Sequence, residues 1–185
     1  MALTESTMLE LGTTAPDFAL TDVVSGKTIA RDDLRDKNAL LVMFICTHCP
    51  FVKHIQTSLG EFGKDYANKP IAIVAICSND IAESPSDNPA GLKQQAETYR
   101  FTFPYLYDES QSVAKAYHAA CTPDFFLFDS DFKLVYRGQY DSSRPKTDMP
   151  VTGQDLRAAI DLVLAGKPVP EDQRASIGCN IKWKE

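Results

Sequence analysis

The chain has 185 residues, 44% of them apolar, which is enough for one domain with a proper core and too short for two. Its net charge of −6 excludes the basic footprint that nucleic acid or an anionic membrane surface requires. No apolar run approaches the roughly 20 residues that span a bilayer.

The start, Met1-Ala2-Leu3-Thr4-Glu5, has no basic segment followed by an apolar stretch, so a secretory signal is not expected. For a complete chain the expected location is the cytoplasm. Ala15–Leu20 alternates, meets a turn at Ser25-Gly26 and is followed by Lys27–Ala30, which predicts a small β-hairpin extension. Ala39–Ile45 is continuously apolar, the pattern of a strand buried on both faces. Phe51, Val52, Ile55, Leu59, Phe62 and Tyr66 then recur at helical spacing with polar residues between them. Pro50 is tolerated there because it falls in the first turn.

Ile71–Ile76 reads as a second buried strand, followed by a polar loop and a weaker helix over Leu92–Tyr99. Asp108-Glu109-Ser110-Gln111 predicts an acid-capped helix running to about His118. Phe125–Phe128 and Lys133–Tyr136 form a hairpin about Asp129-Ser130-Asp131. Thr152 is placed as the cap of a last helix that ends at Gly166. The tail from Lys167 carries no regular pattern. The expected architecture is α/β, a central mixed sheet with helices on both faces, in one domain (1–166) with an irregular C-terminal tail (167–185) packed on it.

Cys46-Thr47-His48-Cys49 sits where the first buried strand gives way to a helix. The N-terminal end of a helix carries partial positive charge and unpaired N–H groups, so a thiol there ionises more readily. A second thiol three residues on can close a disulfide or resolve a mixed one. On this reading Cys46 is the exposed attacking thiol and Cys49 the resolving one. A protonated His48 would stabilise the thiolate and make the couple more oxidising. Zinc would want two further ligands at sensible spacing, and none is evident, so no metal is expected.

Five cysteines cannot all pair within one chain, which fits a reducing compartment with one reactive pair. Cys77 reads as a buried structural thiol. Cys121 reads equally as a core thiol or a modulating third thiol. Cys179 reads either as part of a tail whose Ile181 and Trp183 dock on the core or as a thiol that exchanges with Cys46. Arg137, His54, His118 and Lys53 read as paired or solvated groups.

The strand, C-x-x-C and helix at 39–54 resemble the active-site unit of thioredoxin-like proteins. Gly12-Thr13-Thr14-Ala15-Pro16-Asp17-Phe18 resembles the opening of the AhpC/TSA (redoxin, peroxiredoxin-like) branch. Phe103–Asp108, Cys121–Phe126 and Gly178–Trp183 extend the likeness over nearly the whole chain. The resemblance implies a thioredoxin-like fold in which Pro123 is cis and faces the two cysteines, although base rates alone favour trans. It places Thr47, His48, Thr122 and Pro123 against the substrate, with the Thr122 backbone presented to an extended partner.

Three departures stand out. Ile45 replaces the usual Trp, Leu40 replaces a buried acid, and the peroxidatic Pro-x-x-x-Thr-x-x-Cys is missing whether counted back from Cys46 or Cys49. The implied activity is therefore thiol–disulfide exchange, with a peroxiredoxin-like thiol peroxidase or a non-catalytic docking module as alternatives. Expected partners are protein or small-molecule disulfides and a reductant such as thioredoxin or glutathione, with no cofactor, acting as a monomer or weak dimer.

Overall fold

The apolar run that follows residue 38 becomes the centre of the sheet because both its edges are paired and both its faces are covered. The computed structural model describes residues 2–185. In chain order the elements are β1 (Leu3–Glu5), β2 (Ala19–Asp22), β3 (Thr28–Ala30), β4 (Ala39–Phe44), α1 (Pro50–Tyr66), β5 (Ile71–Cys77), α2 (Pro89–Thr98) and β6 (Tyr105–Tyr107). They continue as α3 (Ser112–Ala116), β7 (Cys121–Thr122), β8 (Asp124–Asp129), β9 (Leu134–Gly138), α4 (Gln154–Leu164) and β10 (Ile177–Asn180).

The main sheet has the order β3-β2-β6-β5-β4-β8-β9. Strand β4 runs parallel to β5 and antiparallel to β8, so every residue of β4 is buried. Its side chains alternate between two cores. Leu41, Met43 and Ile45 pack with Val52, Leu59 and Phe62 of α1, Leu92 of α2 and Leu156 and Ile160 of α4. Leu40, Val42 and Phe44 pack on the opposite face with Val113 and Ala114 of α3, Tyr117, Ala15 and Phe18. Each fully buried side chain of this size contributes about 1.5–3 kcal/mol of transfer free energy. This mixed sheet with helices on both faces is the thioredoxin-like arrangement.

Several local expectations shift. The N-terminal hairpin starts later than its alternation suggests, at Ala19, and it joins the main sheet as an edge, because β2 also pairs with β6. The third helix begins at Ser112 rather than at Asp108, since Gln111 takes a left-handed conformation (φ 66°). Asp108 still covers that helix, accepting from the N–H groups of Val113 (3.4 Å) and Ala114 (2.9 Å). The last helix is preceded by Gly153 (φ 71°) rather than capped directly by Thr152. The carboxylate of Asp141 accepts from the N–H groups of Thr152 and Gly153 at 2.8 Å each.

The tail is not irregular throughout. Strand β10 lies between β1 and β7 in a second, three-stranded sheet, with Cys179 opposite both Leu3 and Thr122. Ile181 docks in the core at 1% exposure, whereas Trp183 stays 36% exposed. The small strand escapes sequence reading because its partners lie at the far end of the chain and at residues 121–122. Gly178 makes the pairing possible, since a Cβ there would lie 1.9 Å from the Thr122 carbonyl oxygen.

Gly178→Ala is therefore expected to destabilise the fold by about 3 kcal/mol, because overpacking is relieved only by moving backbone. A urea midpoint equal to that of the unmodified protein would contradict this role for Gly178.

Candidate active site

Strand β4 delivers Cys46 to the end of the sheet, and α1 starts at Pro50 with Cys49 as its N-cap residue. The peptide bond between Thr122 and Pro123 is cis, as the family likeness implied. Thr122 faces both cysteines. The Cys46 sulfur lies 3.4 Å from the Thr122 hydroxyl, and the Cys49 thiol donates to the Thr122 carbonyl at 3.3 Å. All four side-chain positions singled out between 46 and 49, and Thr122 with Pro123, are thus brought to one place.

Sequence reasoning missed the residue that holds the turn between the cysteines. Asp87, fully buried in the polar loop after β5, accepts four hydrogen bonds. One oxygen takes the Thr47 N–H (2.7 Å) and the Thr47 hydroxyl (2.6 Å). The other takes His48 Nδ1 (2.7 Å) and the Asn79 amide (2.9 Å). These partners hold its carboxyl below the ordinary carboxylate range, the His48 hydrogen bond first among them, against the opposing effect of burial. Gln95, also buried and also missed, donates to the Cys46 carbonyl at 3.0 Å and to Gln56 at 3.1 Å, and accepts from the Tyr105 hydroxyl at 2.8 Å. Neither residue carries a local signal: one sits in the polar loop after β5 and the other in the weaker helix expected over Leu92–Tyr99.

Both cysteines are fully buried, so Cys46 is not the exposed thiol that the sequence led us to expect. Strand β4 ends at Phe44, but the chain stays fully buried through Ile45 and Cys46 and emerges only at the part-exposed Thr47 and His48. The two thiols share their protons. Burial pushes Cys46 well above the ordinary thiol value, and its proton donated to Cys49 and the nearby Asp87 charge push the same way. Cys49 is held down to about 5, chiefly because the Cys46 thiol donates to it, with the Cys179 thiol, the Val52 N–H and the Thr122 hydroxyl adding to the effect against burial. In the neutral pair Cys49 gives its proton to the Thr122 carbonyl. In the singly ionised pair those donors take over, and the negative charge rests on Cys49.

Cys46, His48 and Asp87 also bring sulfur, nitrogen and oxygen atoms within 4.8 Å of one another, a donor set with some resemblance to a metal centre. The Asp87 carboxylate, however, already accepts about as many hydrogen bonds as it has lone pairs, and a metal would have to displace His48 or Asn79. The residues fit a hydrogen-bonded lock better than a cation site. Cys77 is fully buried behind the site and pushed upward by burial, consistent with its structural reading. Cys121 is likewise buried, with its thiol 3.6 Å from the Pro123 carbonyl. Arg137 is tied to the Leu9 carbonyl (2.7 Å) and Gln173 (2.9 Å), and does not reach the thiols.

The ordinary thiol ionises near about 8.5, whereas the Cys49 site ionises near about 5, so between these values the unfolded chain binds more protons. The site's contribution to stability grows as pH rises across that window and is lost as pH falls through about 5. Ultraviolet thiolate absorbance of the reduced protein should show one ionised thiol at neutral pH that disappears through about pH 5, a step missing in Cys49→Ser. A first ionisation near the ordinary thiol value would contradict the shared-proton arrangement.

Residues 11–137 match the AhpC/TSA family. A conserved protein of Geobacillus kaustophilus, of known crystal structure and described as uncharacterized, is 54% identical and superimposes with a TM-score of 0.97, covering 100% of this chain and 97% of its own. The thiol-disulfide oxidoreductase ResA of Bacillus thuringiensis (strain Al Hakam) is 31% identical over 129 residues, 69% of this chain and 68% of its own length. A thioredoxin family protein of Chlorobium tepidum TLS, described as a thiol:disulfide interchange protein, shares the fold with a TM-score of 0.64 at 19% identity, over 84% of this chain and 98% of its own. With the match covering most of its length, the chain belongs to the AhpC/TSA family.

Proposed function

We propose that this protein is a thiol–disulfide oxidoreductase that works through Cys46 and Cys49 and a mixed-disulfide intermediate. The observation that carries the reading is the convergence of the two sulfurs on Thr122, at 3.4 and 3.3 Å, at the start of α1. The similarity to ResA, itself a thiol-disulfide oxidoreductase, supports the same class of reaction.

The reaction follows from the shared proton. As the Cys46 sulfur attacks a partner disulfide, its proton passes to the Cys49 thiolate. A Cys46–partner disulfide forms and the partner's other sulfur leaves as a thiolate, which then takes up a proton. Cys49 next loses its proton and attacks Cys46, which closes the Cys46–Cys49 disulfide and releases the partner's remaining thiol. Because both thiols are buried, the attack requires the Thr47–His48 turn to open, and Asp87 is what keeps it closed. The family likeness presents the Thr122 backbone to an extended partner, but here Thr122 is 3% exposed and already paired with Cys179 of β10, so that backbone is covered and the partner would approach from the Thr47–His48 turn.

The substrates we assign are protein or small-molecule disulfides, with thioredoxin or glutathione as the class of reductant. A reducing compartment such as the cytoplasm suits the five cysteines, and among the described residues no helix is long and apolar enough to cross a membrane. We propose a monomer or weak dimer.

With dithiothreitol as reductant, the protein should accelerate reduction of insulin disulfides, and Cys46→Ser should lower that rate by about 100-fold or more. Cys49→Ser should accumulate a covalent adduct with a disulfide reagent, visible as a mass increase under non-reducing conditions. Full turnover by Cys46→Ser would overturn the reading. Hydroperoxide consumption that survives Cys49→Ser would replace it with a peroxidase.

A further inference from the structure

We propose that Cys179 is a third redox thiol, and that the Cys46–Cys49 disulfide isomerises to an internal Cys49–Cys179 disulfide. The inference rests on the reading that Cys46 and Cys49 form a disulfide.

Three thiols surround one residue. Thr122 binds Cys46 through its hydroxyl and Cys49 through its carbonyl. Cys179 lies directly opposite Thr122 in the β7–β10 ladder. Paired residues in such a ladder project their side chains to the same face, about 4.5–5.5 Å apart at Cβ. Gly178 removes the Cβ that would otherwise hold β10 away from Thr122. Strand β10 packs against α1, and the Cys179 thiol donates to the Cys49 sulfur itself. Cys179 is 1% exposed, so no large partner reaches it while the fold is intact, and Cys49 is the sulfur within its reach. The exchange expected from the sequence was with Cys46; the structure directs it to Cys49 instead.

The step balances without an external oxidant. The Cys179 thiolate attacks the Cys49 sulfur of the Cys46–Cys49 disulfide. The Cys49–Cys179 bond forms, the Cys46–Cys49 bond breaks, and the electron pair leaves on Cys46, which takes up the proton given up by Cys179. The local charges favour the attacker once the pair is oxidised. Burial raises Cys179 to about 12 in the dithiol form, and its hydrogen bond to Cys49 and the Cys49 charge add to this. Oxidation of Cys49 removes both of those additions, whereas Lys182 and the Phe51 N–H, which favour the thiolate, remain. The consequence is an oxidised protein in two isomers, one of which returns Cys46 as a thiol while the oxidising equivalents sit inside the fold.

The test is disulfide mapping of the full chain equilibrated with oxidised glutathione, quenched in acid and digested without reduction for mass spectrometry. The expected result is both cross-links in the unmodified protein, and in Cys179→Ser the loss of Cys49–Cys179 with Cys46–Cys49 intact. Cys46→Ser oxidised with diamide should yield Cys49–Cys179 as its intramolecular cross-link. Cys46–Cys49 alone in the unmodified protein, with no Cys49–Cys179 in Cys46→Ser, would overturn the inference and leave the dithiol reading standing. Neither cross-link in the unmodified protein would overturn both.

Discussion

A single buried carboxylate governs the geometry of this site. Asp87 sits at 0% exposure and accepts four hydrogen bonds, two of them from Thr47 and one from His48. An ionised carboxylate is costly to bury unless its lone pairs are matched by donors. The turn between the cysteines supplies those donors, and in return the carboxylate fixes the turn. Asn79 joins the same oxygen as His48 and accepts the Lys182 N–H at 2.9 Å, so the C-terminal segment is tied to the same point. The negative charge also disfavours a second negative charge on Cys46. It therefore directs the dithiol's charge to Cys49, away from the carboxylate.

The two sheets meet at the other side of the thiols. The main sheet holds Cys46 at the end of β4, and the small sheet holds Thr122 between its own bond to β10 and the cis bond to Pro123. Thr122 then faces both sulfurs with its hydroxyl and carbonyl. Gln95 and Tyr105 fix the Cys46 carbonyl from the helical side. The thiols are thereby positioned by residues from β4, α2, the loop after β5, β7 and β10, and none of these contacts depends on a neighbour in sequence alone.

That distribution explains what could be read from the sequence. The run Ala39–Ile45 declared a doubly buried strand, and the apolar spacing over Phe51–Tyr66 declared the helix behind it. Both are local patterns whose periods report burial directly. Cys46 and Cys49 were legible from the strand-to-helix junction, and the cis Pro123 from the family likeness alone. Asp87 and Gln95 were not, because a buried polar side chain is identified by its partners, and the ones that tie them to the Cys46–Cys49 turn lie 39 to 49 residues away in sequence. Strand β10 was hidden because a short segment with Gly178 and Asn180 has no period of its own. The exposure of Cys46 was misjudged because an apolar pattern marks where a strand is buried and says nothing of the loop that folds over its end.

The central claim is that Cys46 and Cys49 form a dithiol whose reduced state is favoured by a charge held on Cys49. The most direct measurement is a redox titration of the pair in glutathione buffers, read by alkylation and mass spectrometry. A thiolate stabilised in the reduced form makes the disulfide the stronger oxidant, so a reversible two-electron transition is predicted between about −270 and about −120 mV. A potential at or below about −270 mV, or a pair that never forms a disulfide, would contradict the account.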